Sequence, residues 1–320
     1  MAHVEVAQGR SVRLARTREL RCHLCDSTLW NGLSLRDGDI VIASWAKSGT
    51  TWTQQIVGQL LFQGAEEVEV ARISPWVDFR LGAGDRIAML EAQTHRRFLK
   101  TYLPVYALGI DRDVRYIYLA RDGRDAVWSL HNHYHTMKPE RLAAINDAPG
   151  RVGPPLERPP ESVRDWYRAW FERDGYPVWP YWDHVRGWWA FRRLPNVMLL
   201  HFNELKRDLP GAIRAIAAFL DLPVDEARLP AIVEHCSFGY MKAHAALVAP
   251  GGGIGWADGG ASFIHKGENG RWRAVLTAED RAAYEARAVA ELGPEAAHWL
   301  ATGEGPAAQL AQTGQHVELS

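Results

Sequence analysis

The run Asp39-Ile40-Val41-Ile42-Ala43-Ser44 passes into a polar turn, Trp45-Ala46-Lys47-Ser48-Gly49, and then into an apolar-periodic segment from Thr50 to Leu61. A short β-branched run bounded by a turn reads as a buried strand, and apolar residues at helical spacing read as a helix. This order constrains the fold most, because parallel strands need crossover helices. The order recurs in Val114–Ala120, the turn Arg121-Asp122-Gly123 and a helix from Arg124 to about His135. A third strand, Asn196 to Phe202, leads to a helix from Leu209 to Leu220, which Pro223 closes. The chain therefore reads as α/β, with a central, mainly parallel sheet and its ligand at the carboxyl ends of the strands, where two βα turns face each other.

The first of those turns has anion chemistry. The first N–H groups of a helix are unpaired and its dipole is positive there, so the amides of Gly49, Thr50 and Thr51 suit a phosphate. Lys47 adds a charge that can follow a bridging oxygen as negative charge develops on it. The spacing differs from a nucleoside-triphosphate loop, Gly-x-x-x-x-Gly-Lys-Ser/Thr, because here the lysine precedes the glycine.

Charge excludes some partners. With 37 Lys+Arg against 38 Asp+Glu the chain has no global field to recruit nucleic acid or an acidic membrane. No segment reaches the roughly 18 apolar residues of a membrane span, and the N-terminus has no apolar signal core, so the expected location is cytoplasmic. Cys22, Cys25 and Cys236 cannot form a disulfide framework, and one Cys-x-x-Cys is poor evidence for zinc; they read as ordinary thiols. His131 and His135, four apart, could share a helix face, but polar surface or acceptor contact is the better reading than metal.

Length allows one α/β domain, taken as residues 26–302, after an N-terminal extension (1–25) and before a flexible tail (303–320). Pro139 to Pro160 and Ala249 to Ala261, rich in proline or glycine, read as irregular surface loops, lids or plain disorder. The 14 tryptophans, several between Trp166 and Trp189, build a core or wall an acceptor pocket; Trp76 and the loop 139–160 are the better candidates for touching an acceptor.

After the second strand, Arg121 and Ser129 are close enough to converge on a second phosphate. At this point the chain resembles the cytosolic-type sulfotransferase family, in a bacterial-like form. That family carries Pro-Lys-Ser-Gly-Thr-Thr-Trp for a 5′-phosphosulfate and an Arg…Ser pair for a 3′-phosphate. The resemblance runs from about Asp26 to Trp272 and is ordered. Lys100-Thr101-Tyr102-Leu103-Pro104 stands where the family has Lys-Thr-His-Leu-Pro, Cys236-Ser237-Phe238-Gly239-Tyr240-Met241 is similar to its Thr-Ser-Phe-x-x-Met segment, and Lys266-Gly267-Glu268-Asn269-Gly270-Arg271-Trp272 is similar to its late glycine motif.

The resemblance implies a P-loop-like three-layer sandwich that moves a sulfuryl group from 3′-phosphoadenosine 5′-phosphosulfate (PAPS) to a hydroxyl or amine of a small, aromatic or lipophilic acceptor, releasing 3′-phosphoadenosine 5′-phosphate (PAP), without a metal. It implies Lys47, Ser48, Gly49, Thr50 and Thr51 on the 5′-phosphate and sulfuryl oxygens and Trp52 and Phe238 around adenine. Arg121, Ser129, Lys266 and Gly267 would hold the 3′-phosphate, with His265 in place of a usual arginine. Phe202 replaces a donor-contacting tyrosine. The C-terminal dimer motif is only partly echoed, in Arg273 and Thr277, so a monomer or weak homo-oligomer is expected.

Departure is sharpest at the base. Lys100 is expected beside the donor, but Tyr102 replaces the family's histidine, and a phenol, with an ordinary pKa of about 10, is a poor base at neutral pH. Three readings stand open: Tyr102 as phenolate or relay aided by Lys47 and Lys100; another group such as His95, His131 or His133, or the acceptor's own acidity; and an altered or inactive site that only binds nucleotide. The rival from another class of chemistry is a phosphotransferase using ATP and magnesium.

Overall fold

The computed structural model describes residues 14–305. Four strands, β1 (Ile40–Ser44), β2 (Phe98–Thr101), β3 (Arg115–Ala120) and β4 (Val197–His201), form one sheet in the order β2-β1-β3-β4, with every neighbouring pair parallel. Ile42 stands opposite Lys100 on one side and Ile117 on the other.

Side chains alternate across a strand, so the sheet splits the core in two. Ile40, Ile42, Phe98, Ile117, Leu119 and Leu200 face one layer, covered by helix α1 (Thr50–Leu61) and the helix Leu209–Phe219. Val41, Ala43, Leu99, Tyr116, Tyr118 and Leu199 face the other, where the helices Gly123–His135, Val163–Glu172 and Tyr181–Ala190 bring the tryptophans. Trp170, Trp182 and Trp188 are fully buried there, and Tyr118 stacks on Trp188 at 5.2 Å. Most of the tryptophan cluster is thus core, as its density suggested.

Helix Gly123–His135 starts directly behind Arg121, and glycine is required at its first position. A Cβ on Gly123 would lie 2.8 Å from both Trp170 and Tyr181. Asp122 caps this helix by accepting from the Arg124 N–H, which anchors the second βα turn.

Two expectations are corrected. Residues 139–160 are not wholly irregular: Pro139–Asp147 is a helix, because proline suits a first helical turn and Ile145 then finds a buried place in the core. Residues 249–261 carry short helical turns at Pro250–Gly253 and Gly260–Phe263. Strand β2 shows in the sequence only as a motif, since four residues carry no period. The chain from Leu14 onward lies on the same core, with Leu14 bridging Ile110 and Cys25 bridging Phe79. The tail beyond 305 lies outside the described residues. No helix among the described residues is long and apolar enough to cross a membrane.

Candidate active site

The turn after β1 is held open by backbone geometry. Lys47 has φ +63°, and Gly49, the N-cap of α1, has φ +111°, a value that side chains resist. A Cβ on Gly49 would lie 2.8 Å from Phe202. No side chain caps α1, so the Thr50 and Thr51 amides stay available, while the Trp52 N–H donates to the Gly49 carbonyl, and the buried Ser48 hydroxyl has no hydrogen-bond partner. An uncapped helix start beside an orphaned hydroxyl and a lysine fits an anionic oxygen cluster.

Arg121, buried to 6% exposure, ties three segments together. Its Nη1 donates to the Lys47 carbonyl at 3.1 Å, its Nη2 to the Glu268 carbonyl at 3.0 Å, and both Nε and Nη2 to Asn269 Oδ1. The guanidinium also lies 4.3 Å over the Phe202 ring. Phe202 therefore supports Arg121, and it meets Trp52 edge-on at 5.4 Å.

One cavity joins the predicted anion residues. Lys47, Gly49, Thr50, Thr51 and Trp52 line it with Arg121, Ser129, Phe238, His265, Lys266 and Gly267; Ser48 lies behind it. Trp52 is fixed by donating its indole N–H to the Cys236 carbonyl at 2.8 Å, whereas Phe238 is 41% exposed. Gly267 has φ +65° and leaves no room for a Cβ against Phe238, so the late glycine motif closes on that ring. Sequence reasoning missed Lys206, Asp125 and Arg271 in this wall. Arg271 had a signal, lying within the late motif; Lys206 had none, and it comes in by donating to the Gly267 carbonyl at 3.0 Å. Burial, with Asp122 nearby, pushes the Asp125 carboxyl up to about 6. Burial, then Arg271 and Lys266, lowers His265, so its positive charge is weaker than an arginine's would be.

A second cavity, of about 550 Å³, has aromatic walls that include Trp76, Phe79, Tyr102, Tyr134, Trp179 and Trp256. Exposed Lys138 and Glu140 stand at its rim. The segments 139–160 and 249–261 both contribute lining, through Arg141 and Ile145 and through Gly251 and Ile254. Trp76 is aimed by Asp78, whose buried carboxylate accepts from the Trp76 and Trp30 indoles and from the Thr101 hydroxyl. Tyr102 packs edge-on against Trp76 at 4.6 Å, and Lys100 Nζ lies 5.0 Å from the Tyr102 ring.

The three candidate histidines separate cleanly. His95 packs on Phe62 and bonds its neighbour's carbonyl, away from both cavities. His131 bonds the Pro160 carbonyl and stacks on His135 at 5.6 Å, as their spacing of four predicts, with no third metal-type ligand joining them among the described residues. His133 alone lines the second cavity, its Nδ1 3.3 Å from Lys47 Nζ. Burial, then Lys47, Lys100 and Arg141, holds His133 well below the usual imidazole range, so it is neutral. Burial, then Lys100 and Arg121, pushes Lys47 down to about 7. The two cavities share Lys47, Thr51, Tyr102 and Phe263.

Comparison with known proteins agrees with this geometry. The family model described as "Sulfotransferase domain" matches residues 37–293. A glycolipid sulfotransferase of Mycobacterium tuberculosis is 30% identical, over 88% of this chain and 94% of that one. Mouse sulfotransferase 1B1 is 32% identical, over 75% of this chain and 78% of its own. Among solved structures, retinol dehydratase in complex with androsterone and inactive cofactor PAP has a TM-score of 0.63 and 26% identity, covering 83% of this chain and 84% of that one. The chain belongs to the sulfotransferase family and is a transferase that moves a sulfuryl group from PAPS to an acceptor.

Proposed function

We propose that this chain sulfates a hydroxyl of a lipophilic small molecule seated in the aromatic cavity, at the junction formed by Lys47, Thr51, Tyr102 and Phe263. The meeting of an anion-binding cavity with an apolar one at those four side chains carries this reading. The aromatic walls suit a flat or extended apolar body, and the charged rim suits a polar outer end.

When bound, PAPS supplies the sulfuryl group and a bisphosphorylated leaving nucleotide. Ser48, Gly49, Thr50 and Thr51 hold its 5′ end with the helix start. Arg121, Ser129, Lys266 and Gly267, helped by His265 and Arg271, hold the 3′-phosphate, and Trp52 and Phe238 flank the base. Lys47 stabilises charge on the leaving oxygen and Lys100 charge on the sulfuryl oxygens. Tyr102, gripped by Trp76 and Lys100, orients the acceptor hydroxyl. His133 takes its proton. Burial is the first cause that depresses this imidazole, and the cations Lys47, Lys100 and Arg141 add to it; an anionic donor neutralises those cations, so donor binding raises its basicity.

The test is calorimetric titration with PAP against ATP·Mg²⁺, followed by turnover with labelled PAPS over a panel of lipophilic alcohols, phenols and simple polar alcohols. Tight PAP binding with turnover restricted to lipophilic acceptors is expected. Preference for ATP·Mg²⁺, or equal turnover of small polar alcohols, would overturn the reading. His133 beside Lys47 favours an active enzyme over a binding module that has lost turnover.

A further inference from the structure

Cys22 and Cys25 play no part in the chemistry above, yet the fold brings them together. Their Sγ atoms are 3.2 Å apart across a tight hairpin in which the Cys22 N–H donates to the Cys25 carbonyl at 2.9 Å and Arg21 bridges Asp26. Cys22 Sγ also accepts from the backbone N–H groups of Leu24 (3.4 Å) and Cys25 (3.3 Å). Two backbone donors on one sulfur, beside the second thiol, favour a thiolate, the form that attacks disulfides. Cys22 keeps some exposure, whereas Cys25 and Cys236 are fully buried.

We propose that Cys22 and Cys25 are a dithiol site that closes reversibly to a disulfide and is coupled to the acceptor cavity. Cys22 is the attacking sulfur and Cys25 the resolving one. The Cys22 thiolate attacks one sulfur of a low-molecular-weight disulfide, breaking that bond and expelling a small thiolate. Cys25 then gives up its proton and attacks Cys22 Sγ, expelling the second small thiol, which carries that proton away. Two electrons pass from the cysteine pair to the small disulfide.

The direction of the shifts agrees with these roles: the hydrogen bond from Cys25 and the two backbone donors lower Cys22, while burial raises Cys25. Coupling follows from the neighbours. Leu24, between the two cysteines, lines the aromatic cavity, and its carbonyl accepts from the Arg80 N–H. The Arg80 guanidinium binds the His23 carbonyl on one side and the Ile145 carbonyl on the other. Contracting the hairpin therefore pulls on the Pro139–Asp147 helix that walls the cavity.

The experiment uses the whole chain, reduced and then incubated natively with oxidised glutathione. Intact mass and peptide mapping should find the loss of two hydrogens at the Cys22–Cys25 peptide, restored by dithiothreitol, with Cys236 unmodified. Cys25→Ser should stop at one glutathione on Cys22, and Cys22→Ser should take up none. A wild-type pair that stays reduced when folded but closes in urea overturns the site, as does equal uptake by Cys22→Ser. For the coupling, the oxidised form should change acceptor KM at least about threefold with PAP affinity unchanged; an unchanged KM overturns it.

Discussion

Replacing Lys47 with methionine should abolish sulfuryl transfer and, in the ligand-free protein, make the fold more stable. Lysine ordinarily titrates at 10.5, and Lys47 is pushed down to about 7 by burial and by Lys100 and Arg121. The difference between 10.5 and 7 corresponds to about 5 kcal/mol at about 1.4 kcal/mol per tenfold change in proton affinity. Lys47 keeps part of its surface in water, which reduces this by roughly half, and losing its contact with His133 removes about 1 kcal/mol more. A gain of about 1–2 kcal/mol remains. Between pH 7 and 10.5 the unfolded chain carries a proton that folded Lys47 has lost, so wild-type stability from this group rises with pH across that window and is least below 7. The advantage of Lys47→Met is therefore largest at about pH 6 and fades by about pH 10. Urea unfolding followed by tryptophan fluorescence at both values measures it. A variant less stable than wild type at the lower pH, or a gap that does not change with pH, would refute the electrostatic reasoning.

Donor binding should restore the Lys47 proton: calorimetry of PAP near neutral pH in buffers of different ionisation enthalpy should find about half a proton taken up, and Kd should weaken up to about tenfold per pH unit above 7. His133→Gln should lower kcat by about 10²–10³ with PAP affinity unchanged, whereas Tyr102→Phe should cost under about tenfold; the reverse order would make Tyr102 the base. Arg121→Gln should weaken PAP by about 30- to 100-fold and adenosine 5′-phosphate by under about threefold, since only PAP carries the second phosphate; equal losses would mean that Arg121 acts only by bracing the two turns. Gly49→Ala should cost about 1–3 kcal/mol in urea unfolding, because φ +111° and the Phe202 ring both oppose a Cβ.

What could be read from the residues was whatever repeats or sits on a helix start. Strands β1, β3 and β4 follow from continuous apolar runs; each starts one residue later than the run in the sequence, and only β4 also ends one residue earlier. The edge strand β2 has four residues and gave no period, so only its lysine and threonine marked it. The helix Pro139–Asp147 was hidden because proline density reads as irregular, although proline at a first turn is permissive. The side chains that converge on Lys47 were legible one motif at a time. Asp125 shares a helix face with Ser129, four residues on, so its spacing could have placed it, whereas Lys206 reaches the same cavity through tertiary packing, which no local spacing encodes.

The position of the base makes the same point in chemical terms. A proton acceptor must stand within reach of the acceptor hydroxyl and beside the charge that develops there. On the proposed mechanism two elements would meet that demand: the turn after β2, which carries Tyr102, and the helix Gly123–His135, which carries His133 toward Lys47. On that reading a linear motif loses its histidine on the first element while an imidazole stands on the second, beside Lys47, which lines both cavities. Introducing histidine at Tyr102 should then add little to kcat while His133 is present and should restore activity in His133→Gln. A large gain in the wild-type background would instead make the β2 position the one the chemistry requires.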